Sequence, residues 1–240
     1  MSLQKVLVFG PTTSRVAKVL WVLGEAKMPF ERDERTPAAL KQDAAYMRIQ
    51  PKGTVPTLVV TDAAGKLLVC NESNSIVSYL SNKLSPGELY PATPEGVANA
   101  WQWLEWGEQL VAPQLSPIWF GLVRRSAYPP VPTNTLAVEK SASGAAEKVN
   151  HKSVPEMLRA WTQLESHLAD DKRHFIQGGK LSMADVTAGV HANRLFHLPV
   201  DEIGVDPRKT LPYVHGYYQR LCERDPYQKY VVPFGAAPKK

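Results

Sequence analysis

Apolar and polar positions follow two different rhythms along the 240-residue chain. In the first third, short apolar runs alternate with stretches of helical period. Lys5–Phe9 is a run of strand length, and Gly10-Pro11 ends it. Beyond the polar Thr12-Thr13-Ser14, residues Val16, Val19, Leu20 and Leu23 share one face of a helix. Residues 31–35 (Glu-Arg-Asp-Glu-Arg) predict an exposed or edge strand, and Ala38–Ile49 a short helix. Pro51-Lys52-Gly53 is a turn. Thr54–Val60 reads as a strand with a proline near its start, where the ladder lacks a donor. Asp62–Gly65 predicts a hairpin, Lys66–Cys70 its returning strand, and Asn71-Glu72-Ser73 the approach to a helix with Ile76, Val77 and Leu80 inward. The order β-α-β-α-β-β-α over residues 1–85 predicts a small mixed-sheet domain. No G-x-G-x-x-G follows the first strand, which sets it apart from a dinucleotide fold.

Residues 86–94 form a proline-bearing linker, and from 95 to 240 helical period takes over with no expected strand pair. The first helix there carries Trp101, Trp103 and Trp106. Residues 124–153 predict a long excursion, partly helical at Ala145–Val149. Val154–Leu168 places Met157, Leu158, Trp161, Leu164 and Leu168 inward. Phe175–Leu181 is a tight turn, and Met183–Leu195 a buried helix. Leu211–Arg224 is a further helix closed by Pro226, and Pro233 and Pro238 predict an irregular tail. Ser182-Met183-Ala184-Asp185 is an acidic capping box, with the Ser182 hydroxyl accepting from the Asp185 amide and the Asp185 carboxylate answering to the Ser182 amide. Leu181 and Val186 flank it as a hydrophobic staple, so its expected role is stability rather than chemistry.

Composition narrows the function. Hydrophobic residues make 44% and charged residues 21%, as in an ordinary folded protein. No apolar run approaches the roughly 18 residues of a membrane span. Leu3–Phe9 is short and lacks a secretory cleavage pattern. Two cysteines, Cys70 and Cys222, build no disulfide framework and fit a reducing, cytoplasmic setting. The histidines show no metal-binding spacing, so no metal is expected. The net charge of +5 is too small for a nucleic-acid footprint. Eleven basic and seven acidic side chains in residues 1–85 still favour a small anionic ligand there.

Three segments carry chemistry. A cis bond at Val55-Pro56 would turn the Val55 amide and carbonyl away from the ladder, free to pair with an extended peptide; a plain edge-strand proline is the other reading. Glu72-Ser73 opens a helix whose amides and dipole suit a carboxylate, while Glu72 suits an ammonium, so the pair can hold an α-amino acid group or simply cap the helix. A hydroxyl among Thr12, Thr13 and Ser14 can donate to a bound thiolate and lower its pKa, with Arg15 adding positive field, or all three can be caps.

These segments together resemble the cytosolic glutathione transferases, in the bacterial serine/threonine manner. The matching stretches are GPTTSRVAKVLWVLGEAKMPFE (10–31), QPKGTVPTLVV (50–60), NESNSIVSYL (71–80), FIQGGKLSMADV (175–186) and LPYVHGYYQRLCERDPYQKYV (211–231). The resemblance implies a thioredoxin-like α/β domain (1–85), a linker (86–94) and an all-α domain (95–240). It implies glutathione as co-substrate, with Pro56 as a cis-proline, the Val55 backbone on the cysteinyl part, and Glu72 and Ser73 on the γ-glutamyl end. Lys41 and Lys52 are helpers for the glycine carboxylate. The thiolate hydroxyl is sought first at Thr13, then Ser14, then Thr12. Trp103, Trp106, Trp119 and Phe120 are candidate walls for a hydrophobic co-substrate, and core packing is their alternative. A homodimer is expected, with no nucleic acid or membrane partner. The tyrosine of the tyrosine-type classes and a first-helix cysteine are both missing, and Gln50 stands where asparagine is usual. The expected activity is attack of the glutathione thiolate on an electrophile, peroxide or disulfide. The alternative is a glutathione-binding or protein-interaction domain of the same fold without efficient transfer.

Overall fold

A computed structural model describes residues 3–12, 15–124, 153–170 and 173–235, and the backbone of 138–140 and 146–149. Four strands form one sheet in the order β2-β1-β3-β4: β1 (Leu3–Phe9), β2 (Glu31–Asp33), β3 (Thr57–Asp62) and β4 (Leu67–Asn71). β1 pairs in parallel with β2 and antiparallel with β3, and β3 with β4 makes the expected hairpin. Val6 and Val8 alternate into the core as strand period requires.

Helix α1 (Val16–Glu25) crosses from β1 to β2, and α4 (Ser73–Leu84) follows β4. The single helix expected over Ala38–Ile49 is two, α2 (Pro37–Leu40) and α3 (Ala44–Ile49), because Asp43 caps a new start by accepting from the Ala45 and Tyr46 amides. The strand expected from Thr54 begins at Thr57, so Thr54-Val55-Pro56 stands outside the ladder.

The helical half starts with α5 (Pro94–Trp106), which runs through a π turn (Gly107–Val111) into α6 (Ala112–Leu122). α7 (Ser153–Ala169) and the wholly interior α8 (Ala184–Phe196) follow, then α9 (Val200–Ile203), α10 (Pro207–Thr210) and α11 (Pro212–Cys222). Three expectations are corrected here. An antiparallel pair, β5 (Val138–Lys140) and β6 (Ala146–Val149), occupies the excursion, where helix was expected near 145–149. Pro226 does not close α11 but sits in the first turn of α12 (Asp225–Tyr230), where a missing amide costs nothing. The tail forms α13 (Val232–Gly235), and Phe234 there is fully buried; Pro238 lies outside the described residues.

One apolar core runs through both halves. Its pivot is α1, buried on every side from Val16 to Leu23 rather than on one face. It packs on α4 within its own half and on α8 and α12 of the other. At the crossing with α8, a Cβ on Gly189 would lie 2.9 Å from the Trp21 ring and from Leu221. The capping box holds the base of α8. The Ser182 amide donates to Asp185 (2.8 Å), as does the Ile176 amide (2.9 Å). The Ser182 hydroxyl accepts from Ala184 (3.3 Å), one residue earlier than the box predicts, while the Asp185 amide donates to the Ser182 carbonyl (3.1 Å).

Candidate active site

Sheet register brings the three chemistry-bearing segments to one end. Asp33, Phe9, Thr57 and Asn71 lie in a row across β2, β1, β3 and β4. The residues after Phe9, before Thr57 and after Asn71 therefore leave the sheet along the same edge. Beneath that edge the Tyr46 hydroxyl donates to the Thr54 carbonyl (2.6 Å) and lies 3.0 Å from the Thr57 hydroxyl. Thr57 donates to Asn71 (2.8 Å), and Asn71 donates to the Ile49 carbonyl (3.1 Å). This chain fixes the 54–56 loop against the end of β4.

The Val55-Pro56 bond is cis, and among the described residues Val55 has no backbone hydrogen-bond partner. Gly10 has φ +116°, and a Cβ there would fall 2.7 Å from both Val55 and Val16. Only glycine lets the β1–α1 turn close on the Val55 loop. Thr12 lies in that turn, half-buried. Its oxygen accepts from Arg32 Nη1 (2.9 Å), whose Nη2 donates to the Gly10 carbonyl (2.7 Å). Thr13 and Ser14 lie outside the described residues.

Across the row, Glu72 adopts φ +69°, a left-handed conformation that costs a non-glycine residue about 1–3 kcal/mol and is found where a site holds it. It delivers the chain into α4 with Ser73 buried, and no described residue makes a hydrogen bond to the Ser73 hydroxyl. Lys52 reaches the Glu72 carboxylate at 3.0 Å, both side chains being exposed. The Lys41 chain lies over Gly53. Burial pushes both the Cys70 and the Cys222 thiol up, which disfavours their thiolate forms.

The proposed aromatic wall is corrected in part. Trp119 is fully buried between Arg194 and Phe234, and its indole donates to the Gly235 carbonyl (3.2 Å). Trp103 and Trp106 stack edge-on at 5.3 Å, and Trp106 meets Trp161 at 5.5 Å, all inside the core. These tryptophans pack the helical half, and Phe120 is the one of the four that stays half-buried.

Sequence reasoning missed the strongest polar cluster. Lys18 is fully buried on α1 and bonds to Glu108 of the π turn and to Asn74 of α4 (3.2 Å). Arg15 pairs with the other Glu108 oxygen (2.7 Å). Asn74 also accepts from Thr187 of α8 (2.9 Å) and donates to the Leu104 carbonyl (3.3 Å). Burial pushes the Lys18 ammonium below its usual range, and Glu108 restores it only in part. Burial alone would raise the Glu108 carboxyl, but the positive charges around it, Lys18 foremost, together hold the group well below the carboxylate range. His191 sits beside them, 3.9 Å from Glu108, and burial keeps it neutral. The cluster ties the first turns of α1 and α4 to the helical half. The available signal was a lone cation in one apolar helix (VAKVLWVL) and a lone carboxylate after an apolar one (WGEQLV).

A four-stranded sheet with a cis-proline loop at one end, followed by a helical half, defines a thioredoxin-like domain joined to an α domain. Residues 14–83 match the family model described as glutathione S-transferase, N-terminal domain, and residues 147–220 match the corresponding C-terminal domain. The chain belongs to the glutathione S-transferase family. It is 26% identical over 221 residues to glutathione S-transferase GstB of Escherichia coli K12, covering 92% of this chain and 94% of that protein. It is similar to a theta-class glutathione S-transferase from Xanthomonas axonopodis pv. citri with glutathione bound, at 27% identity and a TM-score of 0.72 over 94% of this chain and 96% of that one. It shares its fold with isozyme E7 of Drosophila melanogaster, at 19% identity, TM-score 0.73, 96% of this chain and 92% of the other.

Proposed function

We infer that the protein is a glutathione transferase of the hydroxyl-activated kind, working as a homodimer in a reducing compartment. The observation that carries this is the single edge at which the unpaired Val55 backbone, the first turn of α4 and the β1–α1 turn meet. The tripeptide fits this edge from end to end. Its cysteinyl backbone pairs with Val55, satisfying groups that no described residue satisfies. Its γ-glutamyl carboxylate takes the Ser73 hydroxyl and the free amides at the start of α4, and Glu72 takes the ammonium. Lys41 and Lys52 serve the glycine carboxylate at the other end, Lys52 leaving its exposed pairing with Glu72 to do so. The thiol then lies over the β1–α1 turn, where a hydroxyl from residues 12–14 and the positive end of α1 stabilise the thiolate. The lone hydroxyl whose surroundings are described, Thr12, has its proton uncommitted.

The thiol gives up its proton, and the sulfur lone pair forms a bond to an electrophilic centre held on the helical side. Arg15 and Glu108, rather than the buried tryptophans, border the turn from that side. Leu67 and Leu68, exposed on edge strand β4, supply apolar surface for a second subunit to cover. No helix among the described residues is long and apolar enough to cross a membrane.

The test is ultraviolet titration of thiolate in the complex. Bound glutathione should ionise well below the ordinary thiol value of about 8.5. Binding with an unshifted thiol would reduce the protein to a glutathione holder. Ser73→Ala should weaken binding about 10- to 150-fold, the worth of one charge-assisted bond of about 1.5–3 kcal/mol. An unchanged Kd by calorimetry would remove Ser73 from the site.

A further inference from the structure

Arg32 was expected on an exposed strand, yet its side chain is only 17% accessible and turns under the β1–α1 turn. Two of its N–H groups are committed there, Nη1 to the Thr12 hydroxyl at 2.9 Å and Nη2 to the Gly10 carbonyl at 2.7 Å. Nη1 also meets Glu34 at 2.9 Å, but Glu34 is 66% accessible, so solvent screens that pair and the guanidinium keeps its charge toward the turn. A guanidinium can only donate, and a hydroxyl has one proton and two lone pairs. With a lone pair of Thr12 occupied by Arg32, its proton points away from the guanidinium, and among the described residues no acceptor takes it.

We propose that Arg32 is a positioning residue for thiolate activation: it fixes the Thr12 rotamer, aims the hydroxyl proton at the sulfur and polarises that hydroxyl into a stronger donor. The inference rests on the reading that the Thr12 hydroxyl stabilises the bound thiolate. Two features of the geometry support it. The same guanidinium holds two points at the start of the turn, the Gly10 carbonyl and the Thr12 hydroxyl, so hydroxyl and backbone are set together. A charged donor on the oxygen also strengthens the bond that the hydroxyl itself donates, because successive hydrogen bonds polarise one another. No covalent step is added. The proton leaves the glutathione thiol for solvent, and Arg32 stays protonated throughout. The other charged groups at the turn are Arg15 on α1, Glu108 from the π turn and Glu34 beyond β2. All three are present in every variant below, so the comparison isolates Arg32.

The experiment is a double-mutant cycle read as the thiol pKa of bound glutathione, with Kd measured alongside. Arg32→Gln and Thr12→Val should each raise the bound thiol pKa by about half a unit or more. The double variant should rise no further than Thr12→Val alone, because Arg32 acts through that hydroxyl. Thr12→Ser should stay near the parent value. Arg32→Lys should fall between parent and Arg32→Gln, since lysine keeps the charge but not the two-pronged grip, and it serves if the glutamine variant does not fold. An unmoved pKa in Arg32→Gln with a raised one in Thr12→Val would overturn the role of Arg32 and leave Thr12 in place. Equal rises from Arg32→Gln with and without the hydroxyl would overturn it too, in favour of a diffuse charge effect. No rise in Thr12→Val would instead remove Thr12 itself.

Discussion

Replacing Glu108 by glutamine lowers the melting temperature by roughly 6–20 °C, the expected result of stranding a buried lysine. Removing one partner of a buried ion pair costs about 3–5 kcal/mol, and 1 kcal/mol moves the transition of a chain this size by about 2–4 °C. The loss is large because Lys18 has no accessible surface, and Asn74, its remaining partner, is neutral. Lys18→Met costs less, since Arg15 still neutralises Glu108. Combining the two changes restores part of the loss. The native carboxyl of Glu108 lies well below its unfolded value, so its contribution is full above about pH 4.5 and disappears as acid approaches the native pKa. Thermal melts of the three variants between pH 3 and 7 measure all of this. A Glu108→Gln protein that melts with the parent would show that the cluster contributes nothing.

Asp185→Ala strands two interior amides, those of Ile176 and Ser182. At about 1–3 kcal/mol for each unsatisfied donor, the melting temperature falls by on the order of 10 °C, while the glutathione Kd of the surviving fold changes little. The pH dependence has the opposite sign to that of Glu108. Burial pushes the Asp185 carboxyl up to about 6, against the hydrogen bonds that favour its charged form. The native state therefore holds this proton more tightly than the unfolded chain. The stability that Asp185 contributes is greatest near pH 4, declines as pH rises toward 6 and is level beyond. The gap between parent and Asp185→Ala should narrow over that range. A gap that widens with pH would mean that the hydrogen bonds outweigh the burial.

Local patterns that carry their own chemistry were legible in the sequence. The Asp62–Gly65 hairpin, the Thr54-Val55-Pro56 segment, the entry at Glu72-Ser73 and the capping box at Ser182 each follow from two to four adjacent residues. Features made by distant residues were not. Lys18 looks like a solvated lysine until α8 covers that side of α1, and Glu108 looks like an ordinary surface glutamate until a π turn rotates it inward. Arg32 sits in a charged run that reads as an exposed edge, and only the folded turn shows where its guanidinium goes. The tryptophans erred the other way. Aromatic density suggested a ligand wall, but edge-on stacking among Trp103, Trp106 and Trp161 uses their faces up inside the core.

The burial of α1 on all sides bears on how such a protein can change over evolutionary time. The helix that follows the β1–α1 turn is also packed into the helical half. Trp21 fits against Gly189, which has no room for a methyl group, and Lys18 fits Glu108. Recombination that exchanged one half for a relative's would break both fits at once unless their partners travelled together. A chimaera joined at the linker therefore keeps both fits only where its two parents carry matching residues at Trp21, Gly189, Lys18 and Glu108.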